Sequence, residues 1–116
     1  MVGMTQVISM VCTRVRYHTD RRGVRHEVAR EELHRVLFAP HSTTVETDAR
    51  EETVRTANLY MRTRIRPDVI SGDIIVIPEN IPGGGTWQVW GHPEEWVNHR
   101  TGACAGVVIP IRAQEG

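Results

Sequence analysis

Apolar residues in this chain come in short runs separated by turn formers, and the last third shows the pattern most plainly. Ile74-Ile75-Val76-Ile77 follows Ser71-Gly72-Asp73. Thr86-Trp87-Gln88-Val89-Trp90-Gly91 follows Pro82-Gly83-Gly84-Gly85, and Gly106-Val107-Val108-Ile109-Pro110-Ile111-Arg112 follows the loop 94–105. Short β-branched runs bounded by Gly, Pro and Asp predict strands, and these connections predict antiparallel pairing. All the Trp and most of the Ile lie in 69–112, so the core is expected there. Pro110 within the last run points to an edge position or a bulge.

Upstream, residues 4–17 alternate. Val7, Ser9, Val11, Thr13, Val15 and Tyr17 share one face; Ile8, Met10, Cys12, Arg14 and Arg16 share the other. The half from 11 to 17 is the cleaner half-buried strand. Thr19-Asp20-Arg21-Arg22-Gly23 then supplies an Asp to open a turn and a Gly for a left-handed position, which predicts a hairpin with a bulge-type loop. Ala29, Leu33 and Val36/Leu37 recur at helical spacing among Glu and Arg, which predicts a helix over 27–37. Val36-Leu37-Phe38-Ala39-Pro40, however, ends like a strand before a proline. Residues 41–56 are polar, with Val45 and Val54 the only bulky apolar side chains. Asp48 and Glu51 have the spacing to cap a single helical turn; the simpler expectation is a long exposed loop. Leu59, Met61 and Thr63 alternate with Tyr60 and Arg62 as a further strand. Residues 78–85 are expected to form a hairpin loop, and 113–116 a loose tail.

With 116 residues, the expectation is one mainly β domain over 1–116 with little helix. No run is long and apolar enough for a membrane-spanning helix, so no membrane partner is expected. Residues 1–6 lack the basic-then-apolar order of a secretory signal, which points to an intracellular product. Cys12 and Cys104 are then expected to stay reduced, as small buried apolar groups.

Charge changes the picture by its placement. The 14 basic residues, all Arg, balance 14 acids. Residues 1–37 hold seven Arg against four acids, whereas 67–99 hold five acids (Asp68, Asp73, Glu79, Glu94, Glu95) and no Arg. Arg suits bidentate pairing with carboxylates, and this asymmetry would let identical subunits dock basic face on acidic face.

No catalytic signature emerges. His26-Glu27 begins like the zinc-protease HExxH, but Arg30 stands where the second His is needed. His26 with His34, and His92 with His99 and Cys104, match no ordinary zinc spacing. Gly83-Gly84-Gly85 lacks the following Gly-Lys-Ser/Thr of a phosphate loop and reads as a flexible hairpin connection. The pairs Glu31-Glu32, Glu51-Glu52 and Glu94-Glu95 have no apolar surroundings to raise a pKa. Trp87, Trp90 and Trp96 could stack on bases, yet their surroundings are acidic and oppose phosphate. Core and loop-anchoring roles are expected instead. The expectation is a non-enzymatic binding or structural protein without metal or cofactor. An oligonucleotide-binding β-barrel and a His-dependent metal enzyme are the competing classes; the first needs a basic aromatic groove.

Several segments taken together resemble the head-to-tail stopper, or head-closure, proteins of long-tailed phages, especially those of actinobacteria. They are Val36-Leu37-Phe38-Ala39-Pro40, Thr47-Asp48-Ala49-Arg50, Val54-Arg55-Thr56-Ala57-Asn58-Leu59-Tyr60-Met61, Asp68-Val69-Ile70-Ser71-Gly72-Asp73, Trp87-Gln88-Val89-Trp90-Gly91-His92-Pro93-Glu94-Glu95-Trp96 and the run from Gly106 to Arg112. The resemblance runs from about residue 5 to the C-terminus. It departs at the long hairpin 79–85 and at His34-Arg35, where the family pattern has a Gly-containing pair. It implies a small antiparallel β-barrel with a long inserted loop, and makes 33–39 extended. It also implies a ring, of six copies, in the neck of the virion. That ring joins the portal and adaptor of the head to tail-terminator or tail-tube proteins and helps close the DNA channel after packaging. Assembly would take place in the host cytoplasm. A tail-terminator or other tail-joining ring subunit is the nearest alternative. On this resemblance 41–56 points into the channel, and Glu46, Asp48, Arg50, Glu51, Glu52 and Arg55 line it or bridge subunits, the acids repelling packaged DNA and the Arg pairing with neighbouring subunits or touching the DNA.

Overall fold

β-Branched and aromatic runs organise the chain into seven strands with, among the described residues, no helix. The computed structural model describes residues 8–47, 50–63, 65–97, 99–102 and 104–113, the side chains of 8, 41–47, 50–54 and 104 excepted. The strands are β1 (Ile8–Thr19), β2 (Arg25–Thr47), β3 (Arg50–Met61), β4 (Ile74–Ile77), β5 (Gly85–Val89), β6 (Glu94–Val97) and β7 (Cys104–Ala113). All pairings are antiparallel, in the order β3-β2-β1-β4-β5-β7-β6, with β7 also paired to β3. The ladder therefore returns on itself from β7 to β3. One side of β7 meets β3. Its other side is shared by β5, opposite Ile111 to Ala113, and β6, opposite Cys104 to Val108.

The expected strands in 69–112 form and carry much of the core. Ile75, Ile77, Trp87, Val89, Val107, Ile109 and Ile111 pack with Met10, Cys12, Leu33, Val36, Phe38, Ala57 and Leu59. Alternation along each strand turns one face of the sheet inward. In β1 the inward face is that of Met10 and Cys12, while Val11 and Tyr17 are exposed. Val15, on the outward-pointing set, is nonetheless buried, opposite Ile74 of β4.

The turn after β1 forms as its residues predict. Gly23 has φ 83°, its N–H donates to Asp20 O at 3.0 Å, and Asp20 Oδ1 accepts the N–H groups of Arg22 and Val24 at 2.8 and 3.0 Å.

Three expectations are corrected. Residues 94–97, expected as part of the loop 94–105, form β6 and pair with β7, which itself begins at Cys104. The segment 27–37 is not a helix but part of β2. Its register against β1 slips between Met10↔Val36 and Cys12↔Leu33. The extra residue is accommodated at His34-Arg35, where Arg35 takes φ 56°. A bulge of this kind puts Leu33 and Val36, three apart, on the same inward face, and three-residue spacing is what helical periodicity looks like. Residues 41–47 and 50–56, expected as parts of a loop, are strand. Residues 41–47 pair with 50–56, from His41↔Thr56 to Thr47↔Arg50. At the C-terminus Ala113 pairs with Trp87, so the chain is held to that point; 114–116 lie outside the described residues.

Two ribbons leave the body in opposite directions. Beyond Phe38 and Thr56, β2 and β3 have only each other among the described residues. Beyond Val15, β1 leaves β4 and pairs with β2 alone, through Arg16↔Ala29 to Thr19↔Arg25. With both projections the radius of gyration is 15.7 Å, against about 13 Å for a compact chain of this length.

Candidate functional site

The β2–β3 ribbon holds most of the residues singled out by the resemblance. Its strands are rich in Thr and Val, which suit an extended backbone; Thr43 faces Val54 and Thr44 faces Thr53. Seven residue pairs at strand rise make it about 23 Å long. The register sets Glu46 opposite Glu51, Val45 opposite Glu52 and Thr47 opposite Arg50. Like charges directly opposed weaken a ladder, so stability of an isolated ribbon does not explain these residue types. Asp48 lies outside the described residues.

Arg55 stands at the ribbon's root. Its guanidinium lies 5.3 Å from the centre of the Trp87 ring, within cation–π range. Trp87 is buried, meets Phe38 edge to face at 5.6 Å and donates Nε1–H to Gly83 O at 3.0 Å. The 78–85 connection is thereby tied to the root. It also carries its own bonds, from Ile81 N–H to Pro78 O at 3.1 Å and Gly84 N–H to Ile81 O at 2.8 Å. The glycine triplet is a bonded turn on the core rather than a loose tether.

The other two tryptophans lie away from this root. Trp96, 44% exposed, stacks on Tyr60 at 5.3 Å with the planes 27° apart. Its ring reaches β3 by crossing Gly106, its partner in register. A Cβ at Gly106 would lie 3.0 Å from that ring and 2.7 Å from Met61 O, so glycine is needed there for close approach. Trp96 thus anchors β6. Trp90, expected in the core or as an anchor, is 52% exposed; β5 has ended at Val89, which frees it from the alternation.

At the opposite end of the body a charged network binds the segment before β4 to β1. Arg16 Nε donates to Asp73 Oδ1 at 2.9 Å and its Nη2 to Asp73 Oδ2 at 3.0 Å and Asp68 Oδ1 at 3.0 Å. Asp73 Oδ2 also accepts Ile70 N–H at 2.9 Å. Hydrogen bonds to Asp73 and then Asp68 push the Arg16 pKa further up, and the bond from Arg16 holds the Asp68 carboxyl below its usual value. Arg14, only 3% exposed, donates to Glu31 at 3.1 Å. Its Nε and Nη1 have no hydrogen-bond partner. The sequence hid this network. It spans 57 positions between Arg16 and Asp73, and only the register of β1 on β4 brings them together.

Cys12 is buried with a free thiol, and desolvation raises its pKa to about 12, which keeps it protonated and unreactive at neutral pH. Among the described residues no group of three or more His, Cys, Asp or Glu is placed to hold a metal ion.

Comparison with protein-family models, curated proteins and solved structures gives no match to this chain.

Proposed function

We propose that this chain is a structural subunit of a phage neck, forming a ring between the portal and adaptor of the head and the tail. The observation that carries the reading is the β2–β3 ribbon. A small body, whose closed circuit of pairings we read as a six-stranded antiparallel barrel, projects about 23 Å of self-paired strand with four acids and one Arg in 46–52. That segment is where the resemblance to head-to-tail stoppers places the channel element, and a ribbon keeps its length better than a slack loop. Turned toward the axis of a ring, ribbons from all subunits would narrow the channel. Their carboxylates would repel DNA phosphates and so keep the DNA from adhering. Arg50 and Arg55 would pair with neighbouring subunits or touch DNA. The role requires binding surfaces and no turnover, metal or cofactor.

Cryo-electron microscopy of the particle encoded alongside this chain tests the reading, with symmetry examined along the tail axis. The expected result is a ring of this chain between portal and tail, with 41–56 facing inward. Particles that lack the chain would overturn it.

A further inference from the structure

Around the circuit of pairings, β1 and β7 are three strands apart in either direction, through β4 and β5 one way and β2 and β3 the other. The β1–β2 ribbon extends from β1, and β6 lies on the entering part of β7, at the same end of the body. These two projections therefore stand on opposite sides.

Their charges are opposite as well. On the ribbon Asp20 is bonded to His26 Nε2 at 2.8 Å and Glu27 to Arg30 Nη2 at 2.7 Å. Arg21, Arg22 and Arg25 are left without a carboxylate among the described residues. On β6, Glu94 has no cationic partner among the described residues, and Glu95 meets only Arg66, at 3.7 Å. Both surfaces also expose apolar groups: Tyr17, Val24 and Val28 on the ribbon, Trp96 and Val97 on β6. Finally, β6 is the end strand of the sheet order, with β7 as its one paired neighbour among the described residues.

We infer that the β1–β2 ribbon of one copy docks on β6 of the next, Arg21 and Arg22 against Glu94 and Glu95, with the apolar groups between them. The inference rests on the ring in the reading above and supplies its subunit contact. Two different patches on opposite sides of one subunit make a head-to-tail contact, the kind that closes into rings. The charges orient the encounter and fix which surfaces meet, and the apolar groups bury surface that a lone chain leaves wet. The contact also covers an open strand edge.

Two variants of the full chain test it by sedimentation velocity at low salt: Arg21→Glu with Arg22→Glu, and Glu94→Arg with Glu95→Arg. All four side chains are exposed, and circular dichroism checks that each variant folds. The wild type should self-associate, less so at high salt. Each variant alone should associate at least about tenfold more weakly. An equimolar mixture of the two should recover the wild-type affinity, because each supplies the surface that the other's reversed surface fits. Wild-type association that neither reversal weakens would overturn the contact, and so would a mixture no better than its components. A wild type still monomeric at about 1 mM, where even a contact of only ~4 kcal/mol would show, would overturn it too. Particle reconstruction judges the neck assignment separately: a ring built through other surfaces would keep that reading and remove this contact.

Discussion

Arg35 occupies a backbone conformation that suits another residue. Its φ of 56° lies in the left-handed region, which costs a non-glycine residue roughly 1–2 kcal/mol. The bulge needs that conformation to bring both Leu33 and Val36 into the core. Glycine would remove the strain and give back about 0.4–1 kcal/mol through its greater freedom when unfolded. Arg35→Gly should therefore raise stability slightly, by up to about 1 kcal/mol. Arg35→Val should lower it, because a β-branched residue is worst suited there. Urea unfolding of the two variants decides; a glycine variant less stable than the valine one would remove the strain argument. The resemblance expects a Gly-containing pair at His34-Arg35, and the backbone explains why one would fit.

At the scale of elements, the segment 67–73 has little regular structure of its own and is held by Val69 in the core, by backbone bonds of Gly72 and Asp73 with Val89, and by side-chain bonds. The Asp73 side chain makes three of the side-chain bonds, accepting from Arg16 twice and from Ile70 N–H. An amide in its place keeps one acceptor oxygen and presents a second donor to Arg16. Asp73→Asn should cost about 1–3 kcal/mol and speed hydrogen exchange at Ile70 before exchange in β4 responds. Unchanged exchange at Ile70 would show that the segment is held otherwise. Strand β2 teaches a different lesson about legibility. Its bulge made Leu33 and Val36 look helical, since periodicity carries no mark of where a strand takes an extra residue. In β3 the alternation of Leu59 and Met61 with Tyr60 was plain, because no bulge interrupts it.

At the scale of the whole molecule, body and β2–β3 ribbon are separable. Between Ser42 and Arg55, which are partners in register, the ribbon pairs only with itself among the described residues. Replacing 43–54 by Asn-Gly, which suits a two-residue hairpin between such partners, should shift the melting midpoint by no more than about 4–8 °C, the effect of about 1 kcal/mol. The same chain should fail to complete particles if the ribbon is the channel element. Loss of the folded state on shortening would instead show that the ribbon is integral to the body.

The local code determined a mainly antiparallel β domain, the turn at Asp20 to Gly23, and strands at 74–77, 86–91 and 106–112, which the structure bounds at 74–77, 85–89 and 104–113. It did so because alternation, β-branched runs and turn residues act over a few positions. The ribbon at 41–56 was hidden because both its faces are polar and its strands are held by backbone bonds, which leave no hydrophobic pattern; its Thr and Val were the one trace. The return of β7 to β3, the pairing of Arg16 with Asp73 and the passage of Trp96 over Gly106 are contacts between distant residues. Only the assembled sheet decides them, because register, which a sequence does not display, sets which side chains meet.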